Sequence, residues 1–176
     1  MRERGRCPAG GTSPRGSRDG RGKAGIAGDM SEEIFDLEKA ERLLPQLERL
    51  LHLALEEKKR VNFFGQGQAH MIERIIVMGG SRVDLERFTQ CKKGKEDSGA
   101  RLRQAVEDIE SHGCVLKDLD IGLVDFPCRV GERELYLCWK LGESRIQFWH
   151  DMEEGFAGRK PLDEQMIKQM QRSSAH

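Results

Sequence analysis

The sequence predicts an α+β fold, in which an N-terminal helical hairpin or small bundle precedes a small antiparallel β-meander. Two observations predict it. Up to Gly113, apolar residues recur at spacings of three and four, the periodicity of an amphipathic helix. After Gly113, apolar residues tend to alternate with polar ones, the periodicity of a strand with one buried face.

The first helix is predicted over residues 36–61. Asp36 suits the N-cap position, because its carboxylate can accept hydrogen bonds from the free N–H groups of the first turn. Pro45 lacks an N–H and predicts a kink near Glu41 or a split of this helix. The apolar seam, which Leu43 and Leu50 widen, consists of Leu37, Ala40, Leu44, Leu47, Leu51 and Ala54.

Two more helical segments are predicted. Residues 63–67 (FFGQG) contain two glycines and predict a break, after which residues 68–78 are helical. Asp84 is a candidate N-cap for a last helix that ends at Gly113. Residues 94–99 (GKEDSG) leave two alternatives open for this helix, a long helix with a solvated centre or a break.

The sheet begins after the last helix. Short strands are predicted at residues 115–118 and 121–126. Pro127 is predicted to end the second strand, because proline cannot donate to a ladder of hydrogen bonds. Residues 134–141 and 145–150 are then predicted to form a β-hairpin.

A two-residue loop at positions 142–143 is predicted for the hairpin, since glycine at the first loop position suits a type II′ turn. This register pairs Leu135 with His150 and places His150 at the end of the core face. A loop one residue longer would move the second strand by one position, and burial of Ile146 and Phe148 favours the shorter loop. The opposite face is then predicted to hold Tyr136, Cys138 and Trp149.

A chain of 176 residues has room for one domain with a substantial core. Residues 33–162 are predicted to form that single α+β domain, and residues 163–176 a short polar C-terminal helix or tail. Residues 1–32 are predicted to be a disordered basic tail rich in Gly and Arg. Met30 is the expected initiator, which would make the tail a false start.

Charge and composition exclude several classes of partner. The 30 basic and 30 acidic residues balance, so no overall field attracts nucleic acid or an acidic membrane. No apolar stretch approaches a membrane span and no secretory signal is present, so we expect a cytoplasmic protein with no membrane partner. The five cysteines form an odd number without a CxxC pair, which predicts free thiols.

Residues 134–162 hold both tryptophans, the only tyrosine and a dense run of charged residues. In one interpretation His150 is an acid or base beside Asp151 or Glu154, and Arg159 holds a carboxylate or phosphate. In the other interpretation the run is a salt-bridged loop and His150 is structural. No catalytic residue is assigned under either interpretation. The candidate ligand-binding residues are Tyr136, Trp149, His150, Asp151, Glu154 and Arg159.

No metal and no cofactor are predicted. His150 and Glu154 would share a helix face, but two ligands do not make a zinc site. Cys114, Cys128 and Cys138 lack the spacing of zinc ligands. No phosphate-binding loop, dinucleotide fingerprint or nucleophile elbow occurs in the sequence.

Four stretches carry a family resemblance: FDLEKAERLLPQL (35–47), GCVLKDLDIGLVDFP (113–127), ELYLCWKLGES (134–144) and FWHDMEEGFAGRKPL (148–162). They resemble bacterial domain-of-unknown-function family 2203, over roughly residues 33–162. The resemblance implies a small prokaryotic protein with a continuous helical hairpin, and it implies no activity. The block typical of the family includes Asp125, Cys138, Trp139, Trp149, His150, Asp151, Glu154, Gly155, Phe156, Arg159 and Pro161.

The sequence favours a non-enzymatic cytoplasmic interaction or regulatory module. Leu43 and Leu50 flank an apolar stripe that is already complete, so residues 37–54 are predicted to bind a partner protein or a second copy. The alternative is an enzyme or binding protein for a small anionic ligand, with its site at the hairpin exit around His150 and Arg159.

Overall fold

The computed structural model describes residues 33–79 and 84–173. Two long helices precede a five-stranded antiparallel sheet and a short helix, which confirms the α+β class. The tail predicted for residues 1–32 lies outside the described residues. The elements are α1 (Leu37–Val77), α2 (Leu85–Glu110), β1 (Val115–Asp118), β2 (Leu123–Val130), β3 (Arg133–Lys140), β4 (Phe148–Asp151), a 3-10 turn (Phe156–Gly158), β5 (Lys160–Pro161) and α3 (Glu164–Ser173).

Helix α1 is longer than predicted, because it continues through Pro45 and through residues 63–67. Its N-cap is Asp36 as predicted, and the carboxylate accepts a hydrogen bond from Lys39 N at 2.7 Å. The predicted break at residues 63–67 is wrong, and of the two alternatives at Pro45, a kink or a split, the split is wrong. Tertiary packing overrides the local propensity at Pro45, since the neighbouring Leu44 and Leu47 are both buried in the core.

The glycines that suggested breaks lie where α1 and α2 pack together. A Cβ added at Gly94 of α2 would lie 2.6 Å from Cζ of Phe64, so the Phe64 ring occupies the space that a side chain would need. A Cβ at Gly67 of α1 would lie 3.3 Å from Sγ of Cys91. Glycine at these positions therefore allows the two helices to approach closely, and both helices remain continuous there.

Helix α2 adopts the first of the two alternatives, a long helix with a polar centre. Asp84 is its N-cap, accepting a hydrogen bond from Arg87 N at 3.0 Å, and Gly113 follows its end with a φ of +82°.

Charged side chains are frequent along both long helices. Within the described ranges, no helix is long and apolar enough to cross a membrane.

The sheet has the strand order β1-β2-β3-β4-β5. Strand β2 continues through Pro127 to Val130, so the predicted stop at Pro127 is wrong. The carbonyl of Pro127 accepts a hydrogen bond from Phe35 N at 2.7 Å, on the edge of β2 that faces away from β3. The N–H and C=O of one strand residue point the same way, so the N–H that Pro127 lacks is not needed for the ladder with β3.

One face of the sheet packs against the helices and forms the core. Helix α1 contributes a residue to it at every third or fourth position, up to Leu51. Helix α3 contributes Met166 and Met170, so the core extends beyond Leu162. The buried core residues are Phe35, Ala40, Leu44, Leu47, Leu51, Ile109, Cys114, Val124, Phe126, Cys128, Leu135, Leu137, Trp139, Ile146, Met166 and Met170.

The pairing of β3 with β4 differs from the predicted register by one residue. Tyr136 pairs with His150, and Leu135 pairs with Asp151 instead of His150. Residues 141–147 form the connection, which is longer than a two-residue loop and allows Ile146 to be buried outside the ladder. The predicted placement of His150 on the core face is therefore wrong, since it lies on the same side as Tyr136 and Cys138.

Candidate functional site

Three neighbouring strands each place one polar residue on the sheet face opposite the core. Asp125 of β2 pairs directly with Cys138 of β3, and His150 of β4 lies on the same face, beside Tyr136. The side-chain donor atoms of Asp125, Cys138 and His150 all lie within 4.8 Å of one another. All three residues are buried, with at most 2% of their surface exposed. We call this set the buried triad.

The hydrogen bonds of His150 define where its protons lie. Nδ1 is 2.9 Å from the backbone oxygen of Asp151, and because a carbonyl can only accept, Nδ1 carries a hydrogen. Nε2 is 3.0 Å from Oδ2 of Asp125, and this bond also needs a proton. The pair is therefore either imidazolium with carboxylate or imidazole with carboxylic acid, and a single proton lies between Nε2 and Oδ2.

The rest of the buried triad is poorly satisfied. Oδ1 of Asp125 is buried and has no hydrogen-bond partner, which is unusual for a carboxylate oxygen that is excluded from water. Burial, together with the hydrogen bond and the negative charge of the neighbouring Asp125, raises the pKa of the Cys138 thiol to about 12. The thiol is therefore neutral near pH 7.

This arrangement limits the chemistry that the buried triad can perform. A protein nucleophile needs thiolate character and access to substrate, and Cys138 has neither. What the buried triad does offer is one nitrogen, one oxygen and one sulfur ligand close together, a set that suits a divalent transition metal. Among the described residues, no other three His, Cys, Asp or Glu side chains converge in this way.

Arg159 lies beside the buried triad but is engaged by other groups. Its Nη2 donates to both carboxylate oxygens of Glu143, at 3.0 and 2.9 Å, and to the backbone oxygen of Cys138 at 3.3 Å. Its guanidinium also stacks over the rings of Phe148 and Phe156, 4.1 and 5.1 Å from their centroids. Arg159 thus fixes the connection between β3 and β4, while its Nε is buried without a hydrogen-bond partner.

Asp151 and Glu154 belong to a separate, more exposed ion cluster. Lys160 Nζ donates to Asp151 at 2.8 Å and to Glu154 at 2.7 Å, and Arg133 Nε donates to Asp151 at 2.9 Å. The hydrogen bond from Lys160 lowers the pKa of both carboxyls, and the two carboxylates raise the pKa of Lys160. The charges of this cluster are internally balanced, as the salt-bridged-loop interpretation expects.

Tyr136 and Trp149 lie on opposite faces of the sheet, so the prediction that they share one face is wrong. The Tyr136 ring lies 5.5 Å from the His150 ring, with Lys117 Nζ 4.7 Å above it. Trp149 pairs with Leu137 and packs against the core. Of the six candidate residues, only His150 belongs to the buried triad, and Tyr136 adjoins it.

Asp125 is the residue that sequence reasoning missed as a candidate ligand. It is the only charged residue in the largely buried run LVDFPC (123–128), and an isolated acid in such a run is a signal for a buried partner. Its partner could not be identified without the register, which places Asp125 opposite Cys138 and next to His150. The family resemblance includes Cys138 but implies no ligand role for it.

A second candidate region lies far along the helices, where α1 ends and α2 begins. We define the hairpin tip as residues 69–79 and 84–91. The last buried residue of α1 is Glu57, and in α2 no residue before Ser98 is buried, so the hairpin tip contributes nothing to the core. Five of its large apolar residues are at least 47% exposed: Ile72, Ile76, Val77, Met78 and Leu85.

The comparisons with known proteins give a family but no characterised relative. The family model described as "Uncharacterized conserved protein (DUF2203)" matches residues 33–162. No curated protein and no solved structure matches the chain. The matched range runs from the residues before α1 to those after β5, and therefore includes both the buried triad and the hairpin tip.

Proposed function

This chain belongs to the domain-of-unknown-function family 2203, and we propose that it is a non-enzymatic interaction module that dimerises through the hairpin tip. Support comes from the contrast between two regions. In the sheet, Asp125, Cys138 and His150 are buried, and Asp151, Glu154 and Arg159 are each paired with residues of opposite charge. The hairpin tip instead presents apolar side chains to solvent, which on a folded protein is typical of a surface that binds another protein.

The exposure of Ile76 and its neighbours is the observation that carries this proposal. Ile76, Val77 and Leu85 are 74%, 78% and 70% exposed, although they lie at the turn end of a long helical hairpin. Ile72 and Ile76 are four residues apart and therefore lie on one face of α1. Two helices alone form a single layer, and such a layer normally buries its apolar residues against a further element.

A second copy of the chain is the occupant that this surface fits best. Two hairpins that pack side by side form a four-helix bundle, which would bury the tip residues of both copies in one symmetric interface. The charges of the hairpin tip are mixed, with Glu73 next to Arg74 and Glu86 next to Arg87. A surface that carries both signs can complement itself across a two-fold axis, whereas a surface of one sign would repel its copy.

The sequence expectation of an interface at residues 37–54 receives less support. Leu44, Leu47 and Leu51 are fully or almost fully buried inside the chain, and Leu43 and Leu50 are partly buried against the same core. Leu53, at 45%, is the one large apolar side chain of that stretch that is strongly exposed. An interface there stays a prediction, and it can be tested beside the hairpin tip.

Sedimentation equilibrium of the full chain and of two charge variants tests the proposal. The wild type should sediment at twice its chain mass of 20.0 kDa at micromolar concentrations. Ile76→Glu should weaken the dimer by roughly 1,000-fold or more, since each of the two copies would bury an unpaired charge at a cost of about 2 kcal/mol or more, about 4 kcal/mol per dimer. Leu53→Glu is the matched control, because it places the same charge on the same helix but outside the hairpin tip.

Circular dichroism separates a broken interface from a broken fold. Ile76 and Leu53 are both exposed in the single chain, so neither variant should lose helix content. A strictly monomeric wild type would refute dimerisation. A dimer that Leu53→Glu disrupts and Ile76→Glu preserves would instead place the interface at residues 37–54.

A further inference from the structure

We propose that Asp125, Cys138 and His150 bind a divalent transition-metal ion, with zinc as the best match. This site is independent of the hairpin tip, because it lies in the sheet on the face opposite the helices. Two separate observations point to a ligand. The three donor atoms converge within 4.8 Å, and the buried Oδ1 of Asp125 lacks a partner with normal hydrogen-bond geometry, although the Cys138 thiol interacts with this carboxyl.

The spacing of the donors is close to that of a zinc site. Zinc bonds of about 2.0–2.3 Å in a tetrahedron separate the ligand atoms by about 3.3–3.6 Å. In the buried triad, Nε2 of His150 and Oδ2 of Asp125 are 3.0 Å apart, and the largest separation is within 4.8 Å. Side-chain adjustments of about 1 Å would therefore bring all three donors to one ion.

His150 is already held in the orientation that a metal ligand needs. Its Nδ1 donates to the backbone oxygen of Asp151 at 2.9 Å, which fixes the ring and leaves Nε2 to face Asp125. A hydrogen bond from the second ring nitrogen to a backbone carbonyl is a regular feature of metal-binding histidines. The backbone of β4 supplies this support, so it does not depend on a flexible side chain.

The charge balance also fits a divalent cation. Without metal, the buried triad holds a thiol proton on Cys138 and one proton between Asp125 and His150. A divalent ion would replace both protons, which leave to solvent, and would be neutralised by one carboxylate and one thiolate. The buried site therefore has no net charge in either state, which avoids the cost of an unpaired charge in the interior.

Two features select the metal. Thiolate and imidazole ligands favour zinc and similar transition metals over magnesium and calcium, which prefer oxygen. The neighbouring guanidinium of Arg159 favours the thiolate form of Cys138, and its Nη2 is paired with both carboxylate oxygens of Glu143. An ion at this position would join β2, β3 and β4.

Metal content of the full chain tests the site. The protein is stripped with a chelator and a reductant, reloaded with zinc, desalted, and measured by elemental mass spectrometry. The wild type should retain about one zinc per chain. Cys138→Ala should lower the zinc affinity by more than roughly 100-fold, because removing a direct ligand exceeds the effect of removing a supporting residue.

The matched control is Cys128→Ala. Cys128 is also a buried cysteine in the sheet, but it lies on β2 in the core face and has no part in the buried triad. Cobalt(II) gives a second readout, because a bound thiolate produces a charge-transfer band. This band should persist in Cys128→Ala and disappear in Cys138→Ala.

A second ligand variant keeps the test decisive if Cys138→Ala fails to fold. Asp125→Asn removes the anionic ligand but can still donate a hydrogen bond to Nε2 of His150, so it should fold and lose zinc. A wild type without stoichiometric zinc would overturn the proposal. Equal zinc retention by the wild type and by whichever ligand variants fold would overturn it as well.

Discussion

Three substitutions at the Asp125–His150 pair should differ sharply in their effect on stability. His150→Ala leaves the Asp125 carboxylate buried without its partner. Asp125→Ala leaves Nε2 of His150 unpaired in the same interior. Asp125→Asn is different, because the amide can donate to Nε2 while Nδ1 continues to donate to the backbone oxygen of Asp151.

The expected magnitudes follow from the burial of this pair. Both side chains are 2% exposed, so water cannot replace a lost partner. Removing one member of a buried ion pair costs about 3–5 kcal/mol, and we expect His150→Ala to lie in that range. Asp125→Ala should cost about 1–3 kcal/mol for the unsatisfied nitrogen, plus the cost of a cavity. Asp125→Asn should cost no more than about 1 kcal/mol.

Urea unfolding of the full chain with a chelator present measures these differences without a contribution from metal. With a slope of about 2 kcal/mol per molar urea, His150→Ala should lower the midpoint by roughly 1.5–2.5 M. The midpoint of Asp125→Asn should stay within about 0.5 M of the wild type. Equal losses for Asp125→Asn and His150→Ala would refute the assignment of a single shared proton. A loss below about 1 kcal/mol for His150→Ala would refute the buried pair itself.

Two further predictions concern the helices. Gly94→Ala should destabilise the chain, since its Cβ would lie 2.6 Å from the Phe64 ring, whereas Gly99→Ala has only Arg103 Nη1 at 3.7 Å nearby and should stabilise it by up to about 1 kcal/mol. Thermal unfolding checks the opposite signs, and a stabilising Gly94→Ala would contradict the close packing at Phe64. The hydrogen bond from Arg101 lowers the pKa of buried Glu57. The stabilisation that ionised Glu57 contributes is therefore fully present above about pH 4.5 and is lost as the pH falls through its lowered pKa. Glu57→Gln should therefore reduce the acid dependence of the urea midpoint, and an unchanged dependence would show that Glu57 does not contribute to it.

Much of the helical part could be predicted from residue spacing. The positions of Leu44, Leu47 and Leu51 in the core follow from the three- and four-residue periodicity, and both aspartate N-caps were recognised. The continuity of the helices could not be predicted in the same way. Gly67 and Gly94 weaken each helix when it is considered alone, and only the contact between the two helices shows that these positions require a small residue.

The sheet shows where sequence periodicity is insufficient. Leu135, Leu137 and Trp139 alternate with other residues along β3 and are all buried in the core, as the two-residue period predicts. The alternation along β4 did not define its register, since residues 141–147 form an irregular connection that buries Ile146 outside the ladder. The observed register differs from the predicted one by one residue, which places His150 in the buried triad instead of on the core face. The candidate site therefore depends on the register of β4, which the alternation of residues left ambiguous.

Hydrogen–deuterium exchange of the full wild-type chain at low and high protein concentration tests dimerisation at the hairpin tip, because it locates an interface without a mutation. If the hairpin tip forms a dimer interface, amides of residues 69–79 and 84–91 should become more protected as the concentration rises, while β2, β3 and β4 stay unchanged. Protection at the hairpin tip that does not depend on concentration, or concentration-dependent protection confined to residues 37–54 or to the sheet, would contradict the proposed function.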